Sequence, residues 1–164
     1  MGWARRSDPE WTDYTKSNAK GDGIMLFGRK TYDMMRSSWP TPAATQMMPE
    51  VAQRMNSAQK IVFSRTLTEA TWENTRLVSG DIVDAVRQLK NDPGPDMLLM
   101  GSGEIISQLT AARLVDQYQI VTVPVIIGSG RTMFDGVPET LELERVGSRN
   151  FTNGNIVNTY RSKH

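Results

Sequence analysis

Three short apolar runs, each passing straight into a glycine-rich, basic or hydroxyl-bearing turn, limit this chain to few folds. Ile24-Met25-Leu26-Phe27 leads into Gly28-Arg29-Lys30-Thr31, and Lys60-Ile61-Val62-Phe63 leads into Ser64-Arg65-Thr66. Met97-Leu98-Leu99-Met100 leads into Gly101-Ser102-Gly103-Glu104. Short, nearly continuous apolar runs between turn formers read as buried strands. Such runs suit a sheet covered on both faces, because a half-exposed strand would alternate apolar with polar residues.

Helical punctuation separates these strands. Asp8-Pro9-Glu10 joins a capping carboxylate, a proline with no N–H to lose and a first-turn acid, and predicts a helix to about Ala19 that stops near Gly21. A second helix is expected over 30–36, ending before Trp39-Pro40, and a short third one near 49–55 after a looser stretch. Residues 75–78 read as a further strand. Asp81 caps a helix whose Ile82, Val86 and Leu89 recur at helical spacing, and Asn91-Asp92-Pro93-Gly94-Pro95 ends it. Gly101-Ser102-Gly103 opens another helix, carrying Ile105, Ile106 and Leu109. Residues 118–127, rich in Val, Ile and Thr, read as one long strand. Two more strands follow at about 140–146 and 156–160, with Asn153-Gly154 as a hairpin signal between them. Strand–helix alternation predicts a largely parallel sheet with helices on its faces, and the closing strands add an antiparallel edge. The expected class is therefore α/β, with a mixed sheet in a single domain spanning 1–164.

Composition narrows the function. Charged residues make up 23% and the formal net charge is +1, too balanced to argue for nucleic acid as a partner. No apolar run is long enough to span a bilayer, so no membrane partner is expected. No secretory signal is visible, and the expected location is cytoplasmic. Cysteine is absent, which removes thiolate nucleophiles and Cys-ligated metals, and the single histidine is the last residue, His164. No metal site is therefore expected. An enzyme with this inventory takes its chemistry from a cofactor.

The three turns are where a cofactor would bind. Ligands of an open parallel sheet sit beyond the carboxyl ends of its strands. Helix N-termini there present free N–H groups and partial positive charge, and glycines let a phosphate approach the backbone. Arg29, Lys30 and Arg65 add cations, and arginine grips phosphate in a bidentate manner. Singly, each feature has a plainer reading: solvated bases, tight-turn glycines, a serine that only ends its strand. Together, three anion-friendly turns on one edge suit a pyrophosphate plus a further phosphate, the anionic pattern of NADPH.

Two rival motifs fail. Gly23 and Gly28 stand at near P-loop spacing, but the four residues between them are Ile, Met, Leu and Phe, which belong inside a sheet. Gly101-x-Gly103 and Gly128-x-Gly130 begin dinucleotide fingerprints, but Ile106 and Met133 occupy the third glycine position.

Leu26-Phe27-Gly28-Arg29-Lys30-Thr31-Tyr32 resembles a strand signature of dihydrofolate reductases, whose turn contacts cofactor phosphates. Val62-Phe63-Ser64-Arg65 is similar to the strand end beside the adenosine 2′-phosphate in that superfamily. Leu99-Met100-Gly101-Ser102-Gly103-Glu104-Ile105 is similar to its glycine turn beneath the pyrophosphate and nicotinamide ribose. Leu114-Val115-Asp116-Gln117-Tyr118, Pro124-Val125-Ile126-Ile127-Gly128-Ser129-Gly130 and Phe134 resemble one branch, the reductase domain of the riboflavin-pathway deaminase–reductase and its stand-alone bacterial relatives. Trp39-Pro40 also resembles the stand-alone proteins.

The resemblance implies a dihydrofolate-reductase-like three-layer α/β/α fold with a mixed, mostly parallel central sheet and a C-terminal antiparallel hairpin. It implies NADPH as cofactor, a pyrimidine- or pteridine-like substrate and a homodimer. The implied cofactor-binding residues are Gly28, Arg29, Lys30, Thr31, Ser64, Arg65, Thr66, Met100, Gly101, Ser102, Gly103, Glu104 and Ile105. The family opens with a hydrophobic strand and a Ser-Leu-Asp-Gly-type turn, whereas Met1-Gly2-Trp3-Ala4 resembles the loop after that strand. The first strand is accordingly expected to be missing from this chain. The expected activity is that of an NADPH-dependent oxidoreductase, most like 5-amino-6-(5-phosphoribosylamino)uracil reductase. Dihydrofolate reductase and a non-catalytic nucleotide-binding protein of the same fold are the alternatives. Folate-reducing members carry an acid on the first helix. Asp13 is nearest in position, but reads better as a solvated face residue, so no catalytic residue is assigned. Trp11 and Tyr14 read as core or pocket wall, and the Gly128–Gly130 turn as a substrate-site border or a plain loop.

Overall fold

The computed structural model describes residues 8–18, 21–130 and 132–163. The features noted at residues 1–4, 19 and 164 lie outside them. In chain order the elements are α1 (Pro9–Asn18), β1 (Ile24–Gly28), α2 (Arg29–Ser38), α3 (Pro42–Met47), α4 (Pro49–Ser57), β2 (Lys60–Phe63) and β3 (Thr75–Val78). There follow α5 (Ile82–Asn91), β4 (Met97–Leu99), α6 (Gly103–Ala111), β5 (Gln117–Thr122), β6 (Leu143–Asn150) and β7 (Ile156–Ser162).

The predicted three-layer α/β/α arrangement forms, with parallel strands first and an antiparallel hairpin last. The parallel part runs β3-β2-β1-β4 and the antiparallel part β5-β7-β6. Alternating side chains of β1 and β2 build a core on each face of the parallel part. Met25, Phe27 and Val62 pack with Tyr32 of α2, Met55 of α4 and Trp72. Leu26, Ile61 and Phe63 pack with Ile82 and Val86 of α5 and with Ile105 and Leu109 of α6. This double coverage explains why the strands read as continuous apolar runs.

Three sequence expectations need correction. The run at 118–127 is not one long strand: β5 ends at Thr122 and Ile126 lies 97% exposed. Pro124 cannot donate to a ladder, so the apolar residues after it extend no sheet. The strand expected at 140–146 forms instead over Leu143–Asn150, with a register irregularity between Arg145 and Gly147. The looser stretch before Pro49 holds α3, capped by Thr41, whose Oγ1 accepts from the Ala44 amide at 3.2 Å. Thr41-Pro42 carried that start signal.

The antiparallel half is anchored by α1. Asp8 is buried; its carboxylate accepts from Thr152 Oγ1 at 2.8 Å, the Asn153 amide at 3.1 Å and the Glu10 amide at 2.9 Å. These donors, the Thr152 hydroxyl foremost, hold its carboxyl below the usual carboxylate range. One side chain therefore starts the helix and ties it to the β6–β7 turn.

Candidate functional site

The parallel register brings the predicted turns to one edge. Gly28 ends β1 opposite Phe63, so Ser64 begins the next turn one residue beyond on the adjacent strand. On the other side β4 pairs with β1 and runs into Gly101 and Ser102.

Two of the three turns are in contact. Gly28 caps α2 and has no side chain with which to do so. Ser102, from the β4–α6 turn, bonds to the backbone of the cap residue itself: its Oγ accepts from the Gly28 N–H at 3.2 Å and lies 2.9 Å from Thr31 Oγ1. The approach depends on Gly28 lacking a Cβ, which would stand 2.6 Å from Ser102 Oγ and 2.9 Å from Ile105 Cδ1. Two successive left-handed residues shape the turn, Gly101 at φ +66° and Ser102 at φ 63°. Serine rarely adopts that conformation, at a cost on the order of 1 kcal/mol. Consecutive turn amides of this kind form an anion-binding concavity. The N-termini of α2 and α6 thus meet across one serine hydroxyl, each with first-turn N–H groups unmatched within its helix.

The third turn follows β2 on the same edge. Ser64 Oγ accepts from the Thr66 and Leu67 amides at 3.2 and 3.0 Å, a local turn that leaves Arg65 and Thr66 exposed. Among the described residues neither Arg65 nor Lys30 has an ion-pair partner. Arg29 meets Asp33 at 3.6 Å, both side chains about half exposed; a surface pair of this kind is worth about 0–1 kcal/mol and yields easily to a ligand. Met100 packs partly against the Phe27 core, Ile105 is buried in the opposite one, and Gly103 and Glu104 are exposed at the start of α6. Within this group, Met100 and Ile105 lie in the core beneath the turn, while Arg29, Lys30, Arg65, Thr66, Gly101, Gly103 and Glu104 are exposed.

The residues present suit a phosphate-bearing cofactor: paired helix N-termini, a left-handed turn and unpaired cations stand together. Asp13 is exposed on α1, which binds the antiparallel half through Arg149–Glu10 and Asn18–Gln119. The Gly128–Gly130 turn is exposed. A separate cleft of about 800 Å³, lined by Arg36, Thr41, Asn56, Trp72 and Glu73 among others, opens at the amino ends of the strands, away from this edge.

Sequence reasoning passed over several buried polar groups. Lys60 lies on the Phe27 face of β2; its ammonium donates to the Ala58 and Asn56 carbonyls at 2.6 and 3.0 Å and stands 4.6 Å from the centre of the Trp72 ring. Burial, helped by nearby Arg54, pushes its pKa down to about 8. Its position at the head of an apolar run was the available signal. Asn155 is fully buried with both amide atoms unpartnered among the described residues, as is the Tyr14 hydroxyl; neither has a pattern in the sequence.

This fold and this turn-lined strand edge define a class, the dihydrofolate-reductase-like proteins. The Enterococcus faecalis dihydrofolate reductase bound to NADP(H) and RAB-propyl superposes with a TM-score of 0.65 at 14% identity, covering 97% of this chain and 84% of that one. A Shewanella sp. PV-4 protein named for riboflavin biosynthesis superposes with a TM-score of 0.71 at 23% identity, covering 100% of this chain and 88% of that one. Within the class, the chain belongs to the RibD C-terminal domain family, which it matches over residues 2–157. It is also similar to the uncharacterized protein YyaP of Bacillus subtilis, 29% identical over 136 residues that span 83% of this chain and 72% of that protein. The family is the riboflavin-biosynthesis branch of the dihydrofolate-reductase-like reductases.

Proposed function

We propose that this protein is an NADPH-dependent reductase of a small pyrimidine- or pteridine-like substrate, most like 5-amino-6-(5-phosphoribosylamino)uracil reductase. The observation that carries the reading is the meeting of the α2 and α6 N-termini across Ser102, with Lys30 and Arg65 without an ion-pair partner among the described residues on the same edge. In this reading the Gly101–Glu104 turn and the Gly28–Thr31 turn hold the pyrophosphate through backbone N–H groups. Arg65, with Ser64 and Thr66, holds the 2′-phosphate, and Arg29 leaves Asp33 to assist. NADPH, when bound, supplies the hydride. The chain's own contribution is orientation and charge complementarity, because helix amides fixed by the sheet need no reorganisation when the ligand arrives. A single domain over 1–164, a homodimer and a cytoplasmic setting belong to the same reading and rest on the family resemblance.

The test is titration with NADPH and NADH, followed by turnover assays with dihydrofolate and the phosphoribosylamino-pyrimidine. Selective NADPH binding with pyrimidine turnover is expected. A folded sample that binds neither nucleotide refutes the reading. Binding without turnover of either substrate favours a nucleotide-binding protein that lacks the chemistry. Replacing both Arg29 and Arg65 by Ala is expected to weaken NADPH about tenfold or more while leaving NADH nearly unchanged. Equal losses for both nucleotides would remove the 2′-phosphate assignment.

A further inference from the structure

The last turn of α2 borders a cleft that the cofactor reading does not use. The first turn of this helix follows Gly28, at the candidate edge, whereas Arg36 in its last turn lines the cleft of about 800 Å³ at the amino ends of the parallel strands. Clefts of that size fall within the range that takes small-molecule ligands.

Side-chain bonds between distant segments build its floor. Asn56, at the end of α4, accepts from Trp72 Nε1 at 2.8 Å through Oδ1 and donates to the Trp39 carbonyl at 3.2 Å through Nδ2. The Trp72 amide donates to the Tyr32 hydroxyl at 2.9 Å, and the buried Trp72 ring has the Lys60 ammonium 4.6 Å from its centre. These bonds tie α2, α4 and the segment ahead of β3 into one network, which holds the cleft in a single shape.

Hydrogen-bonding capacity is left over along the cleft. The Asn56 carboxamide keeps one N–H and one lone pair, and Gln46 of α3 has no hydrogen-bond partner among the described residues. Thr71 Oγ1 accepts from Arg36 Nη1 at 2.6 Å, which leaves its own O–H free to donate. A donor and an acceptor on one carboxamide are what a peptide unit requires of a partner.

Two opposite charges line the same cleft and do not meet. Arg36 and Glu73 are both exposed, and neither has an ion-pair partner among the described residues. Arg36 is anchored at Thr71 by one of its five N–H donors. Glu73 lies two residues beyond Thr71, a backbone span of at most about 7 Å. Singly, each charge has a plainer explanation: a base in a last turn suits the helix dipole, and a surface acid is solvated. Lys60 and Glu73 also attract each other, though without forming an ion pair. Gathered in one cleft with unused carboxamides, the two charges match a ligand that has a carboxylate at one end, an ammonium at the other and amides in the middle.

We propose that this cleft is a second ligand site, which takes a zwitterionic peptide of two or three residues. Arg36 holds the terminal carboxylate, Glu73 the terminal ammonium, and Asn56 and Gln46 the peptide units. An extended peptide of that length spans about 7–10 Å, in keeping with the spacing of the two charges. This inference does not depend on the cofactor reading, and its test involves no nucleotide.

The experiment titrates the 164-residue chain calorimetrically with triglycine, N-acetyltriglycine and triglycine amide, at low ionic strength where exposed charges are least screened. Triglycine carries both charges, and each blocked analogue lacks one. Triglycine should bind about tenfold or more tighter than either analogue, because each analogue gives up one charge-assisted contact. Arg36→Gln should abolish the preference over triglycine amide and keep the preference over N-acetyltriglycine. Glu73→Gln should do the reverse. Both side chains are exposed, so both variants should keep the parent's melting temperature. Arg87→Gln, an exposed position on α5, should bind all three probes as the parent does. The crossed pattern separates a direct contact from a general loss of folding. A chain that binds no triglycine at about 10 mM, one that binds the three probes equally, or variants that weaken all three alike would overturn the proposal. So would tighter binding of N-acetyltriglycine than of triglycine, which would make the cleft a site for a plain anion.

Discussion

The parallel and antiparallel halves solve the same problem, burying a sheet, with different means. In the parallel half, β1 and β2 are sealed between two helix layers: Phe27 and Val62 are 0% exposed. In the antiparallel half, most of β5 and β6 remains accessible, and of the three strands only Tyr118 and Val157 are buried. Polar contacts with α1 supply the fixing there, through Asp8, Arg149 and the Trp11–Tyr14–Phe151 ring cluster, with centroids 4.9–5.5 Å apart. Apolar burial thus builds the half that carries the three candidate turns, while hydrogen bonds and aromatic edges hold the half that closes the fold.

The sharpest test is a pair of truncations. Phe27→Ala removes a side chain with no solvent exposure and should cost about 3–5 kcal/mol of stability. Val121→Ala in β5 should cost less than about 1 kcal/mol. Urea midpoints at unchanged slope measure both. Similar losses would mean that the two halves share one core.

Gly28→Ala comes next. A Cβ there meets Ser102 Oγ and Ile105 Cδ1 below contact distance. Either the Ser102 and Ile105 side chains turn away or the β1–α2 and β4–α6 turns move apart, and both break the Ser102 contact, so NADPH affinity should fall about tenfold to a hundredfold, against a stability loss of about 1–3 kcal/mol. Calorimetric titration and denaturation measure the two separately. Unchanged affinity would show that the contact between the turns does not shape the binding edge.

The smallest effects concern pH, and they raise stability with pH in both halves, on the alkaline side through Lys60 and on the acid side through Asp8. Lys60 has a folded pKa of about 8, below its model-peptide value. The unfolded chain therefore holds more protons above pH 8, and stability should rise as pH climbs from about 8 towards the unfolded value. Lys60→Met should flatten that rise. Asp8 is depressed, so its contribution is present above the ordinary carboxylate value and is lost as pH falls through its lower folded one. Asp8→Asn should remove that acid-side slope. Thermal melts across pH check both, and a Lys60→Met profile identical to the parent would mean the ammonium is not desolvated in solution.

Legibility followed the same division. The parallel strands β1 and β2 were readable because two-sided burial forces continuous apolar runs, β4 because its short apolar run stands between turn formers, and α1 and α5 because Asp8-Pro9 and Asp81 mark their starts. The strand expected at 156–160 forms within β7, whereas the end of β5 and the bounds of β6 were misjudged, because a half-exposed strand relies on its neighbours more than on its own composition. Val125, Ile126 and Ile127 look like strand, yet they lie past Pro124 on the surface. β6, with Arg145, Ser148 and Arg149, hardly looks like strand, yet it pairs along its length with β7.

At the candidate site the residue types were legible and the contacts were not. Glycines, hydroxyls and bases at three strand ends are local features, and the sequence alone determined that they gather on one edge, since parallel strands in alternating βα units must present their carboxyl ends together. Only the tertiary structure decided that Ser102 reaches across 74 positions of chain to accept from the Gly28 N–H. That contact depends on the register of β4 against β1, on a left-handed serine and on the missing Cβ of Gly28, none of which is encoded in a single stretch.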